Sequence, residues 1–407
     1  MINFNKVINK SILGLTIIVI LTLIFSTCNS PAGNNSDQHT HVWSTWMPPA
    51  SYLEAVESTR ICNCGKSETI IGPHPIANTA DWNTAREEIA SGKGSIGTFV
   101  LTVTEDFTAP ASNFGITPNG NTLSIIITGN KTITLRGTGN LIYVGTNQNI
   151  TINNLILKGY GANNVSLVQT AGTNTRFTMQ GSSSVSGNTI DGNDTGLGGG
   201  VNIGYSGTFI MQDNASVSGN TIKSNNYSAG GGVFVSNSGI FTMQDNAMVS
   251  GNSITSNSSG NGGGVHINND GLLTMQDNAM VSGNIITTNG SSNGGGVHIH
   301  HYANFNMKGG TISGNTVIGN NYGYGGGLSL VQYSNFRMAN GTVYGNDVSA
   351  PHTNTSNTAG AALFLNYVNS AQYGKFNGDT WVPAGSPGPN LNTRNNTIKV
   401  INGVLQS

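Results

Sequence analysis

The sequence predicts an all-β chain folded as a right-handed parallel β-helix, with three strands per rung and rungs of about 32 residues. Three observations predict it. An aromatic-x-Met pair recurs at Phe177/Met179, Phe209/Met211, Phe241/Met243, Leu273/Met275 (Leu in the aromatic slot), Phe305/Met307 and Phe336/Met338. A Ser-Gly-Asn ends at Asn188, Asn220, Asn252, Asn284 and Asn315, with a Tyr-Gly-Asn at Asn346. A Gly triplet precedes Val201, Val233, Val265, Val297 and Leu328, and all three series step by 32 and then, near the end, by 31. Such a fixed period marks one unit stacked on copies of itself, because a single unit cannot bury its own apolar face.

Composition sets the outer limits. Of 407 residues 8% are charged, with a net charge of -1, against about 25% charged in a typical soluble domain. A chain without a basic surplus lacks the electrostatic footprint of nucleic-acid binding, so no nucleic-acid partner is expected. Gly accounts for 57 residues, and Gly-rich, charge-poor chains are often disordered. The regular Val, Ile, Phe and Met slots argue against disorder, since they stack into a continuous core.

Residues 1–28 read as an export signal. Lys6 and Lys10 precede an apolar run from Ile12 to Phe25. That run is shorter than the roughly 20 residues a membrane span needs, and fits a signal h-region. Phe25-Ser26-Thr27-Cys28 resembles a bacterial lipobox, with Phe25 in place of the usual Leu and Thr27 in place of Gly, Ala or Ser. Spirochaete lipoboxes are looser, and the resemblance implies a lipid on Cys28 and anchorage at a membrane. Residues 29–38 then read as a polar tether.

Residues 39–76 read as a small module carrying Trp43, Trp46, Cys62, Cys64 and His74. Its His-x-His-x-Trp and Thr-Arg-Ile-Cys-Asn-Cys-Gly-Lys segments resemble a Cys/Trp repeat of bacterial surface proteins, with Cys-x-Cys where Cys-x-x-Cys is usual. Cys62, Cys64 and His74 are candidate zinc ligands; the alternative is a hairpin spacer stiffened by its aromatics. Residues 79–92 read as a cap helix. Thr79 or Asp81 can serve as N-cap, Gly92 follows the end, and Trp82, Ala85 and Ile89 share one face. Such a helix covers the open end of a strand stack. The β-helix itself is expected over residues 95–400, with less regular coils before Phe177.

Within the unit from Gly230 to Asn261, Val233 and Val235 alternate with Phe234, Phe241 and Met243 with Thr242, and Ala247 and Val249 with Met248 and Ser250. Alternation of period two means a strand with one buried face. The unit therefore reads as three strands, with the return through Ile254 and Ser256–Gly260 as loop. Long rungs and the chirality of parallel crossovers point to a right-handed coil. The recurring Asn can satisfy itself as a ladder, amide to carbonyl, from rung to rung. The Met column points inward as core. The Gly triplets open backbone conformations closed to other residues where the return re-enters the stack.

The Ser-Gly-Asn and Gly-Gly-Gly-Val slots, separated by a polar loop, resemble the repeats of chlamydial polymorphic membrane proteins. They are closer to exported right-handed β-helix lipoproteins of treponemes, with their Gly-Thr-Phe-Thr-Met and Ser-Gly-Asn-Thr units. The resemblance covers roughly residues 80–370. It implies an exported protein at the outer membrane or cell surface, acting as an adhesin or interaction rod. Fewer than forty residues follow Ser370, too few for the barrel that anchors the chlamydial proteins, so attachment is expected to rest on Cys28.

Several side chains are candidates for chemistry. Asp213, Asp245 and Asp277 hold one turn in three successive rungs; stacked carboxylates could share Ca²⁺, or could simply be a repeated Asp-Asn turn. His266 and His298 share a slot expected to face outward, with His300 beside them and Phe234 one rung earlier. They are expected as a binding surface for a glycan or a host surface protein. No catalytic residue is assigned. The alternative is a polysaccharide lyase or glycoside hydrolase on a pectate-lyase-like scaffold, which needs clustered carboxylates. Between Thr98 and Phe177 the charged residues are only Glu105, Asp106, Lys131, Arg136, Lys158 and Arg176.

Overall fold

The computed structural model describes residues 57–61, 67–90, 97–112, 114, 122–192, 194–366, 370–384 and 391–406. They form a parallel β-solenoid, with one helix among the described residues, Thr79–Ala90. Its rungs lie 32 residues apart in the regular region, where Val201 pairs with Val233 and Val233 with Val265.

A rung holds more strands than alternation predicts. The one beginning at Val233 has five: Val233–Val235, Ile240–Met243, Met248–Ser250, Ser253–Ser256 and Gly260–Asn261. Each pairs in parallel with its equivalent one rung on. Stacked, they give sheets of 8, 13, 11, 6 and 5 strands among the described residues. The first three strands are those expected. The last two occupy the return expected to be loop: the fourth carries one apolar residue among Ser and Thr, and the fifth is two residues long, so no period shows. Backbone pairing, not side-chain pattern, makes them strands.

The interior follows the alternation. Val233, Val235, Phe241, Met243, Ala247 and Val249 are fully buried, as is the whole Met column from Met179 to Met338. Phe177, Phe209 and Phe241 stack ring on ring at 5.5 and 4.7 Å. The fourth strand builds a second, smaller core from Ile190, Ile222, Ile254, Ile286 and Val317.

Between third and fourth strands runs the Asn ladder. Each Nδ2 donates to the Oδ1 one rung on, Asn220 to Asn252, Asn252 to Asn284 and Asn284 to Asn315, at 3.0, 3.0 and 2.9 Å. The last rung departs from the sequence landmark. Asn315 donates to Asn354, not Asn346, at 3.0 Å. The backbone N–H of Asn346 instead donates to the carbonyl of Asn395, and a longer excursion delivers Asn354 to the slot.

Both ends are closed. Trp82, Ala85 and Ile89 bury the expected helix face. Trp82 packs edge-on to Phe114 at 5.5 Å and donates Nε1–H to Ser112 at 2.9 Å. The N-cap is Asn78 rather than Thr79 or Asp81: its Oδ1 accepts from the N–H of Ala80 and Asp81. Glu57–Ile61 and Ser67–Ile76 form an antiparallel hairpin, and the latter joins Gly97–Val103 in parallel. At the far end Thr380–Pro383 folds antiparallel onto Ser370–Asn377, and Ile398–Ile401 onto Gly341–Val343. Antiparallel closure turns the stack away from further parallel addition.

Candidate functional site

Between first and second strands every regular rung turns through two consecutive residues of positive φ. The pairs are Tyr205-Ser206, Asn237-Ser238, Asn269-Asp270, His301-Tyr302 and Gln332-Tyr333, with φ between 46° and 61°. A non-Gly residue in this region loses about 1 kcal/mol, and only Asn and Asp tolerate it readily. Other corners of the same rungs use glycine there, as at Gly219, Gly251 and Gly283, and at Gly230, Gly262 and Gly294. This corner keeps side chains where glycine would fit more easily.

The same pairs are among the places where the rungs differ from one another. The turn after the second strand repeats Gln-Asp-Asn-Ala unchanged in three rungs, while no two of these five pairs are alike. The stacking does not require them to vary, since their backbones are tied alike. Ser206, Ser238, Asp270 and Tyr302 each donate N–H to the next rung's turn at 2.9–3.2 Å. The outcome is a firm ridge with changeable side chains. Tyr205, Tyr302 and Tyr333 are 61%, 58% and 59% exposed, and the rings of Tyr302 and Tyr333 stack at 5.4 Å and 8°. Asn237, Ser238, Asn269, Asp270, His301 and Tyr302 line an open hollow of about 470 Å³.

Behind the ridge stands the column of Phe234, His266 and His298. Sequence places it facing outward, toward solvent. The structure corrects this: the three are 8%, 0% and 1% exposed. The return covers them. A Cβ added at Gly262 would stand 2.8 Å from His266 Cβ, and one at Gly294 equally close to His298 Cβ. Phe234 stacks on His266 at 5.3 Å, and His266 lies 5.0 Å from His298. Both nitrogens of His266 and Nδ1 of His298 lack hydrogen-bond partners. Burial, with His300 and His301 adding like charge, pushes the His266 pKa down to about 3. Burial, then His266 and His300, holds His298 well below the ordinary imidazole value. His300 is half-buried and bonds Asn268 at 3.1 Å. Burial and His301 bring its pKa to about 4. His300 lies 4.0 Å from His301, so the ring cluster runs from the buried column to the hollow.

The Asp column lies on a different corner. Oδ2 of Asp213, Asp245 and Asp277 accepts the N–H of Gly181, Asp213 and Asp245 at 2.8, 3.0 and 3.2 Å. Each carboxylate thus clips its own turn to the rung before. Among the described residues no three His, Cys, Asp or Glu side chains are placed to hold a metal ion. His74 is half-buried on the hairpin strand, while Cys28, Cys62 and Cys64 lie outside the described residues.

The ridge residues Asn237, Asn269, Tyr302 and Tyr333 are absent from the sequence-derived site. The signal that finds them is variation between rungs at the two positions before the Gly, Ala or Ser that opens the second strand. No protein-family model, curated protein or solved structure matches this chain.

Proposed function

We propose that the chain is an exported, lipid-anchored β-solenoid displayed at the outer membrane or cell surface. It works as an adhesin-like interaction rod, by binding rather than by chemistry. One observation carries the reading: two corners of the regular rungs keep side chains in left-handed backbone, the invariant Asp turn and this one, and only here do those strained side chains vary from rung to rung. Structure alone favours glycine there, and strain held at exposed positions is a mark of function. The candidate lipobox at Cys28 and the treponeme-like repeats support display at a surface. The test is a binding screen of the intact chain against host-matrix proteins and glycans. Capture that weakens when Tyr302 and Asn269 are replaced is expected. Capture indifferent to every ridge residue, or none at all, would remove the ridge as the binding element.

A further inference from the structure

Resting on that reading, we infer that the ridge takes a neutral oligosaccharide, laid along the solenoid axis across the hollow between Asn237 and Tyr302 with Tyr333 beyond it. The chemistry of the lining is the first argument. It offers two amides, a hydroxyl, one carboxylate, one imidazole and an exposed phenol ring. A sugar presents hydroxyls that both donate and accept, and C–H faces that lie on aromatic rings. Amides and the one carboxylate answer the former, and the ring surface that Tyr302 and Tyr333 leave exposed beside their mutual stack answers the latter. A stable protein partner would instead bury a wide face, about 800 Å² on each side, with a charge-poor aromatic centre.

Charge narrows the class. Asp270 is the one carboxylate in the hollow, and no Lys or Arg lines it. An anionic sugar would meet Asp270 without a cation to balance it. Periodicity is the second argument. Successive turns repeat at the strand-stacking interval of about 4.8 Å, and the two Tyr rings stand 5.4 Å apart. A periodic ridge suits a periodic polymer, one turn meeting roughly one ring of the chain. The backbone bonds between turns keep this spacing before any ligand arrives, so little ordering is lost on binding.

The experiment uses the intact chain on an array of gluco-, manno-, galacto- and N-acetylhexosamine oligomers, beside sialylated and sulfated counterparts and matrix proteins. Binding to a neutral oligomer is expected, rising with oligomer length. Tyr302→Gly and Tyr333→Gly should each weaken it at least tenfold. Glycine suits positive φ, so neither variant should unfold the rung, and circular dichroism and melting temperature check this. Binding confined to sialylated or sulfated glycans, or to matrix protein alone, overturns the saccharide inference while the interaction rod stands. No binding to anything overturns both. Unchanged neutral-glycan binding in both Tyr variants moves the sugar site off the ridge.

Discussion

The side chain of Asn220 donates to Oδ1 of Asn252 at 3.0 Å, and the backbone N–H of Asn220 donates to that same oxygen at 3.0 Å. Asn252 in turn donates its Nδ2 protons to the Val217 carbonyl at 3.1 Å and to Asn284 at 3.0 Å. One fully buried amide therefore holds three rungs. Asn252→Ala strips partners from the Asn220 N–H and the Val217 carbonyl together. At about 1–3 kcal/mol for each orphaned buried group, the loss should be about 2–5 kcal/mol, read from urea denaturation. Asn252→Asp should lose more, because its carboxylate would face the oxygens of Val217 and Asn284. A loss below about 0.5 kcal/mol, the scale of ordinary surface changes, would show that the ladder is not load sharing.

How far this ladder was legible depends on which residue is asked. Asn220, Asn252 and Asn284 were, because a polar residue that recurs at the rung period must meet itself. Asn354 was not: Asn346 keeps the spacing, but a longer excursion carries a different Asn into the slot. The same limit hides the fourth and fifth strands. Ile254 is one apolar residue among Ser and Thr, and no alternation can be read from one residue. Its column with Ile222 and Ile286 exists only once the rungs are stacked. That unseen return is also what buries His266. Alternation correctly set His266 opposite Val265 and Ile267, but said nothing of what packs over that face. The ridge was legible only in part, because the return loop and the slots of Phe234, His266 and His298 vary between rungs as well, and the left-handed backbone that sets the ridge apart leaves no mark in the sequence.

Asp245 tests whether its column is a clip or a cation site. It accepts the Asp213 N–H at 3.0 Å and itself sits at φ 55°. Asp245→Asn keeps an acceptor oxygen and tolerance of that φ, and should stay within about 0.5 kcal/mol of the parent. Asp245→Ala loses both and should cost about 1–2 kcal/mol. Thermal melts with added calcium and with chelator should superimpose. A calcium-dependent rise in melting temperature that disappears in Asp245→Asn would reassign the column to Ca²⁺.

The proposed lipid anchor makes Cys28 the residue that sets where the protein resides. Cys28→Ala should move the chain from the membrane fraction to the soluble one and abolish incorporation of labelled fatty acid. The β-solenoid begins far downstream, so its circular dichroism should not change. Retention of the variant in the membrane fraction would defeat the anchor at this residue.

The buried imidazoles make stability depend on pH, and the sign follows from where the protons go. His266 titrates near 3 in the folded chain because burial, aided by His300 and His301, disfavours its charged form. Burial and His301 set His300 near 4, and His298 is lowered in the same direction. In the unfolded chain all three return to about 6.5. Between those values the unfolded state binds more protons, so stability rises with pH in that window. It is complete above about pH 6.5 and is lost progressively toward pH 3–4, with His266 alone contributing on the order of 4 kcal/mol across the window. Denaturation midpoints measured from about pH 7.5 down to pH 4.5 should fall steadily. His266→Phe should flatten part of that slope, since Phe234 shows that the slot one rung away accepts a phenyl ring. It also removes two nitrogens that have no partner, so the variant should match or exceed the parent even at neutral pH. A parent whose midpoint does not change over this range, or a phenylalanine variant with the parent's slope, would mean that His266 reaches solvent and titrates as an ordinary surface imidazole.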